Sequence, residues 1–389
     1  MEERLYDIWA ASLQDGYIGR LVSIVEAAGG ARNIYNMKKE QMVSELGITQ
    51  RLAKHIETHQ KHVYPEEIYE RMQNGNIRYI DYKDAEYPTR LQSIESKPYG
   101  LFVKGELPGE NRKNVAIVGA RECTEYGRVV AEYFGDRLAR QNINIISGMA
   151  WGIDGIAQMA AVKANGNSYA VLGCGADIVY PANNYRLYEQ LITGGNGVIS
   201  EYAPGTKAMA RLFPPRNRII AALCDVLVVV EARAKSGTLI TVDMAIEQGR
   251  TVMVVPGRIT DSLSVGCLKL IKEGATVAYD VDSIMEELGI LSEENEDAIK
   301  PAYEKRIDVK SDGARTTDMN TGGNISNEEV ILEGNELLLY RLISLDPVSV
   351  DTLSAKSGLP LQEILVILTK MEVIGCIKES SNGYFVRRF

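Results

Sequence analysis

From Val115 to Ala278, short apolar runs alternate with helix-length stretches. That alternation narrows the choice of fold more than any other feature of the chain. Val115–Val118 runs into Gly119 without a polar break, as a strand covered on both faces of a parallel sheet does. Further runs follow at Ile143–Ile146, Tyr169–Leu172, Val198–Ile199, Val226–Val230, Val252–Val255 and Thr276–Ala278. Between them, Gly127–Gln141, Gly152–Asn165, Arg186–Leu191, Arg216–Leu223, Leu239–Gln248 and Cys267–Lys272 read as helices. Strands alternating with helices predict an α/β fold with a doubly wound, Rossmann-like parallel sheet.

Such sheets bind ligands beyond the C-terminal ends of their strands, so the residues there carry the information. The first run ends in Gly119, Ala120 and Arg121 and leads into a helix. Bare backbone N–H groups and a guanidinium at one spot suit a phosphate; the alternative is an ordinary turn with Arg121 in an ion pair. Ser147-Gly148, then Trp151-Gly152, follow the second run. Gly173 and Gly175 follow the third, Glu231 and then Ser236-Gly237-Thr238 follow Val230, and Pro256-Gly257 follows Val255. Several small-residue turns on one rim predict a binding rim. No GxGxxG follows the first strand and no GxxxxGK[ST] occurs, which argues against dinucleotide enzymes and P-loop ATPases. No cofactor is expected.

Lys207, Arg211, Arg216 and Arg218 come with no acidic residue among them, and Phe213-Pro214-Pro215 lies between. Cations that neutralise phosphates, with an aromatic ring that stacks a base, are what single-stranded nucleic acid requires. The alternative is a solvated loop with Phe213 packed inward. The whole chain carries a net charge of −9, which argues against general coating of nucleic acid but not against a local basic patch.

The remaining chain supplies context. Its 389 residues suffice for several domains, and 45% hydrophobic content predicts that most of them fold. No apolar run is long enough for a membrane span and the first residues are charged, so a cytoplasmic protein is expected. Five separated cysteines without CxxC support neither a disulfide framework nor a zinc ribbon. The three histidines, His55, His59 and His62, lie before the sheet. The sheet therefore holds no Ser-His-Asp or Cys-His arrangement, and His55 and His59 read as an exposed polar helix face. Residues 1–65 read as a small helical domain, SAM-like or helix-hairpin-helix-like, with helix stops at Gly29-Gly30 and Gly47. The sheet domain is expected over 66–290. Residues 291–328 are polar and Gly/Asn/Thr-rich, a flexible linker. Residues 329–389 read as three helices and a hairpin turning at Asn382-Gly383, a winged helix. Its third helix offers Gln362, Glu363, Lys370 and Glu372, a poor reader of a major groove, so protein contact or a structural role is expected.

Together these residues carry a resemblance. Val118-Gly-Ala-Arg121, Ser147-Gly148 with Gly152-Ile-Asp154, and Val171-Leu-Gly173 with Tyr180-Pro181 and Asn184 are similar to motifs of the DNA-processing protein A (DprA/Smf) family. Phe213-Pro-Pro-Arg-Asn-Arg218, Glu231 to Thr241, Glu247-Gln-Gly249 and Val255-Pro-Gly257 are similar too, in the same order. The resemblance implies a non-enzymatic, dimeric protein that binds and protects single-stranded DNA entering during natural transformation and helps load the RecA recombinase. Carried over, the resemblance gives Gly119, Arg121, Ser147, Gly148, Phe213, Pro214, Arg216, Asn217 and Arg218; the rim and the basic segment add Ala120, Lys207, Arg211, Ser236 and Gly237 to the expected DNA-binding set. Gln158 stands where many members have histidine, and Leu268 where asparagine is usual. A second reading is a nucleotide phosphoribohydrolase-like enzyme on a related sheet, with Glu231 or Glu247 as its carboxylate.

Overall fold

Asn114–Val118 is buried along its whole length, as its uninterrupted apolar pattern requires. The structure, a computed structural model, describes residues 2–13, 20–290, 332, 334–343, 347–381 and 383–387. They belong to two units, residues 1–291 and 292–389. The expected linker, 291–328, lies outside the described residues.

The strands of the first unit are β1 (Arg78–Asp81), β2 (Gly100–Gly105), β3 (Asn114–Val118), β4 (Asn144–Ser147), β5 (Ser168–Leu172), β6 (Gly197–Ser200), β7 (Val226–Val229), β8 (Thr251–Val254) and β9 (Thr276–Val277). They form one sheet in the order β1-β2-β6-β5-β4-β3-β7-β8-β9. From β6 to β9 all neighbours are parallel. β2 joins β6, and β1 joins β2, antiparallel. The chain steps outward from β3 to β6, then returns to the other side of β3 for β7, β8 and β9. This reversal makes the crevice between β3 and β7 the natural ligand site. Pairing of Val118 with Val229 puts the C-terminal ends of these strands level.

Six helices precede the sheet: α1 (Glu2–Ser12), α2 (Leu21–Ala27), α3 (Ala31–Asn36), α4 (Lys39–Leu46), α5 (Gln50–His62) and α6 (Pro65–Gly75). α7 (Thr89–Gln92) lies between β1 and β2. Then α8 (Glu125–Arg140) follows β3, α9 (Ile153–Lys163) follows β4, and α10 (Tyr185–Leu191) follows β5. α11 (Phe213–Leu223), α12 (Gly237–Glu247), α13 (Val265–Lys272) and α14 (Val281–Glu287) follow β6, β7, β8 and β9. Alternate residues of β3 face opposite layers. Val115 and Ile117 pack with Phe134 and Leu138 of α8, whereas Ala116 and Val118 join the core of Ile219 and Ala222 from α11.

The N-terminal helices share the second of these cores: Ile8, Trp9 and Leu13 lie in one cluster with Tyr79 and Phe102. Polar bonds fix the contact. Arg4 pairs with Asp84 at 2.6 Å, Tyr99 donates to Asp7 at 2.6 Å, and Tyr82 donates to Glu26 at 2.8 Å. In packing, residues 1–65 and the sheet are one body. His55 and His59 are half-buried, contrary to the exposed face expected of them. His59 lies 2.7 Å from Ser12 Oγ and its ring is 5.6 Å from that of Trp9. The shared core explains this, because Trp9 needs cover on that side.

The second unit contains α15 (Asn335–Leu342), β10 (Val348–Ser349), α16 (Val350–Ser357), α17 (Leu361–Ile374), β11 (Ile377–Ser381) and β12 (Tyr384–Arg387). Its strands pair in the order β10-β12-β11, and Leu339, Leu353, Ile364, Leu368 and Phe385 form its core. Ser349 caps α16 by accepting from the Thr352 N–H, and Gly358 ends it in the left-handed region, as the sequence indicates. On α17, Lys370 is paired with Glu336 and Glu363 accepts from Asn335 at 2.6 Å.

Candidate nucleic-acid interface

Beyond the ends of β3 and β7 lies a groove of about 680 Å³. Gly119, Ala120, Arg121, Phe213, Arg216, Asn217, Ser236 and Gly237 all line it. Ala208 and Ala210 line it as well, so the exposed Lys207 and Arg211 flank it in the chain. Ser147 and Gly148 are buried instead. Ser147 Oγ donates to the Ile117 carbonyl at 2.6 Å, and the Gly148 N–H donates to Asp154 at 3.1 Å. They are the floor under the groove, not its surface.

The β3–α8 turn is fixed from two sides. Thr238 Oγ1, at the start of α12, donates to the Gly119 carbonyl at 3.3 Å, and the Ile153 N–H donates to the Ala120 carbonyl at 3.2 Å. A Cβ on Gly119 would come within 2.7 Å of Ile153, so only glycine lets the turn lie this close. Arg121 is then exposed, with no ion pair among the described residues, and its guanidinium carbon lies 5.8 Å from the centre of the Phe213 ring. Phe213 rests on Gly173, where a Cβ would meet the ring at 2.6 Å. Tyr180 stands beside it with centroids 5.4 Å apart. A half-buried ring, a second exposed ring and a free cation therefore meet at one edge, where they can stack bases and neutralise phosphate.

The Phe-Pro-Pro segment is the first turn of α11 rather than a loop. Proline fits there because the first helical N–H groups have no intrahelical partner. This turns the two following arginines inward, which revises the expectation that both present their charge to phosphate. Arg216 is 5% exposed and donates to the carbonyls of Val171 and Gly148. Burial pulls its guanidinium below the usual arginine value, opposed by the adjacent Asp154. Burial likewise pushes the Asp154 carboxyl up, opposed by Arg216 and the Gly148 N–H. Opposite charges buried side by side offset part of each other's desolvation. Arg218 makes two bonds to Glu201, at 2.9 and 2.5 Å, and a third to the Ser96 carbonyl at 2.7 Å. It does not line the groove.

The proposed carboxylates of the enzyme reading are placed elsewhere. Glu231 is buried and accepts from the N–H and Oγ1 of Thr124, at 2.9 and 2.5 Å. Thr124 in turn caps α8. Glu247 is in the last turn of α12, and neither glutamate lines the groove. Burial pushes the Cys174 thiol up to about 12 and that of Cys267 to about 11, so neither is a thiolate at neutral pH. Gln158, in place of histidine, is fully buried; its Oε1 accepts from the Met149 N–H and its Nε2 donates to Ser168. Tyr180, Arg233 and Thr241 also line the groove but were not among the expected contacts. All three stand in motifs that carry the resemblance, Tyr180 beside Pro181 and Arg233 and Thr241 within Glu231 to Thr241, which was the signal for them.

Comparison with known proteins bears on this geometry. The family model described as DNA recombination-mediator protein A matches residues 78–289, and the DprA winged helix domain matches residues 328–383. DNA processing protein DprA of Streptococcus pneumoniae is 42% identical over 201 residues, 52% of this chain and 71% of that protein. Protein Smf of Escherichia coli is 34% identical over 298 residues, 77% of this chain and 74% of that protein. The X-ray structure of DprA from Streptococcus pneumoniae superposes with a TM-score of 0.63 at 32% identity, covering 73% of this chain and 97% of that one. The first match runs from β1 to the end of α14 and takes in every residue of the groove. The chain belongs to the DNA recombination-mediator protein A family, the DprA/Smf family that its motifs resemble.

Proposed function

We propose that the groove between β3 and β7 binds single-stranded DNA through phosphate neutralisation and base stacking, without chemistry on the strand. The observation that carries this is the exposed Arg121 guanidinium 5.8 Å from the Phe213 ring, beside Tyr180 and above backbone N–H groups at a strand-to-helix turn. Arg121, Phe213, Asn217, Ser236 and Gly237 are the contact residues, and Lys207 and Arg211 extend the field along the entrance. Arg216 acts from below, holding the floor in place with Asp154. Arg218 anchors α11 to Glu201.

Kinship with DNA processing proteins supports the wider role: protecting incoming single strands during natural transformation in the cytoplasm of a bacterium. Kinship also supports a homodimer that passes the strand to a RecA recombinase. No helix among the described residues is long and apolar enough to cross a membrane. The winged helix, with Lys370 and Glu363 already paired on α17, fits a protein contact better than a groove of duplex DNA.

The test compares single- and double-stranded oligonucleotides of one sequence over a salt series. Single strands should bind more tightly, and log affinity should fall linearly with log salt, by about 0.7 per phosphate neutralised. Equal affinity for both forms would remove the proposal. Free base released from nucleoside monophosphates would instead restore the hydrolase reading.

A further inference from the structure

A second cleft, of about 360 Å³, opens on the other side of Arg121. It lies among α8, α9 and the start of α10, and its lining includes Trp151, Arg128, Lys163 and Arg186. Arg121 and Glu122 line both cavities, so the two lie on either side of one turn. We propose that the Trp151 cleft is a second nucleotide subsite, which receives the DNA strand after it leaves the first groove across Arg121. The proposal rests on the single-strand reading given above.

Trp151 carries the argument. Its side chain is 49% exposed, whereas the other tryptophan, Trp9, is fully buried. A large exposed ring beside a cleft is a natural stacking platform. The turn that presents it is built for the purpose. Met149 and Gly152 both have positive φ, 51° and 85°, a conformation that a methionine keeps only when its surroundings hold it. Gln158 accepts from the Met149 N–H at 3.0 Å, and Asn184 Nδ2 donates to the carbonyls of Met149 and Ala150 at 2.9 and 3.2 Å. A Cβ on Gly152 would meet the carbonyl oxygens of Arg121 and Ala120 at 2.3 and 2.4 Å. The Trp151 turn and the Arg121 turn are thus in backbone contact, which brings the two residues to one edge of the cleft.

Charge points to the same occupant. Arg121, Arg128, Lys163 and Arg186 face the cleft together with only two carboxylates, Glu122 and Glu132. Lys163 and Arg186 have no ion-pair partner among the described residues, and Arg128 has only Glu125, 3.5 Å away and one turn back on its own helix. In a chain of net charge −9, that local excess of cations around an exposed indole matches a phosphodiester strand with unstacked bases.

Intrinsic fluorescence tests this directly. The chain has two tryptophans, and Trp9 is out of reach, so a change on adding DNA reports Trp151. The full chain is titrated with oligothymidylate of about 16 nucleotides, the upper end of site sizes for single-strand-binding folds. The expected result is quenching of the wild type. Trp151→Ala should bind about 5- to 150-fold more weakly, the loss of one stacked base, and Trp151→Phe should recover much of that. Arg186→Ala should make the log–log salt slope shallower by about 0.7. Unchanged fluorescence overturns the subsite, even if Trp151→Ala binds weakly, because the loss would then come from a disturbed turn. If Trp151→Ala and Arg186→Ala bind as wild type while Arg121→Ala and Phe213→Ala are impaired, the first groove stands alone. If all four bind as wild type, the single-strand reading itself fails.

Discussion

Arg121 and Arg216 flank the same Phe213 ring, at 5.8 and 6.0 Å, yet removing them should have opposite consequences. Arg121 is exposed, so Arg121→Ala should change stability by no more than about 0.5 kcal/mol. It should weaken every single-stranded sequence alike and make the salt slope shallower by about 0.7. Arg216→Ala removes the cation next to the buried Asp154 carboxylate and the donor to the Gly148 and Val171 carbonyls, and chemical denaturation should show a loss of about 3–5 kcal/mol. Phe213→Ala should reduce binding by about 1–3 kcal/mol with little change in slope. Denaturation and a salt titration of the three variants separate contact from support. The sequence showed four cations around an aromatic ring. It did not show which cations face water, because their partners, Asp154 and Glu201, arrive from other strand–helix units. A charged side chain carries no mark of its own burial.

At the scale of elements, the strands were legible because double-sided burial leaves an unbroken apolar run, as in Val115–Val118. Helix starts were less so. α8 begins two residues before Gly127, because Thr124 caps it and Glu231 holds Thr124; Glu231 lies on the far side of the switch point. α11 begins at Phe213, three residues before the start expected at Arg216. The α8–α9 contact gives a further test. Gly135 is buried inside α8, and a Cβ there would stand 2.3 Å from the Ala157 carbonyl oxygen of α9. Helix propensity alone favours Gly135→Ala by about 1 kcal/mol. Forcing two packed helices apart costs about 1–3 kcal/mol, and α9 is held from beneath by the sheet. The clash should win, so Gly135→Ala should lower the denaturation midpoint; a rise would mean that the helices separate freely.

For the whole molecule, residues 1–291 should fold without the winged helix and bind single-stranded DNA within about tenfold of the full chain, roughly 1.4 kcal/mol. A larger loss in a folded truncation would give the winged helix a share of the strand. Sedimentation of the same fragment should show twice the monomer mass, and a strict monomer would remove the homodimer. A start at residue 66 should not be equivalent, because it strips Ile8, Trp9 and Leu13 from a core they share with Tyr79 and Phe102. The division of labour between helices and sheet was legible in the sequence; their fusion was not, since Arg4–Asp84 and Asp7–Tyr99 join residues 80 and 92 positions apart. That separation has a consequence in time. At synthesis rates of about 5–20 residues per second, Tyr99 is made roughly 5–20 seconds after Asp7. Trp9 therefore leaves the ribosome before Tyr79 and Phe102, the sheet residues of its cluster, have been made.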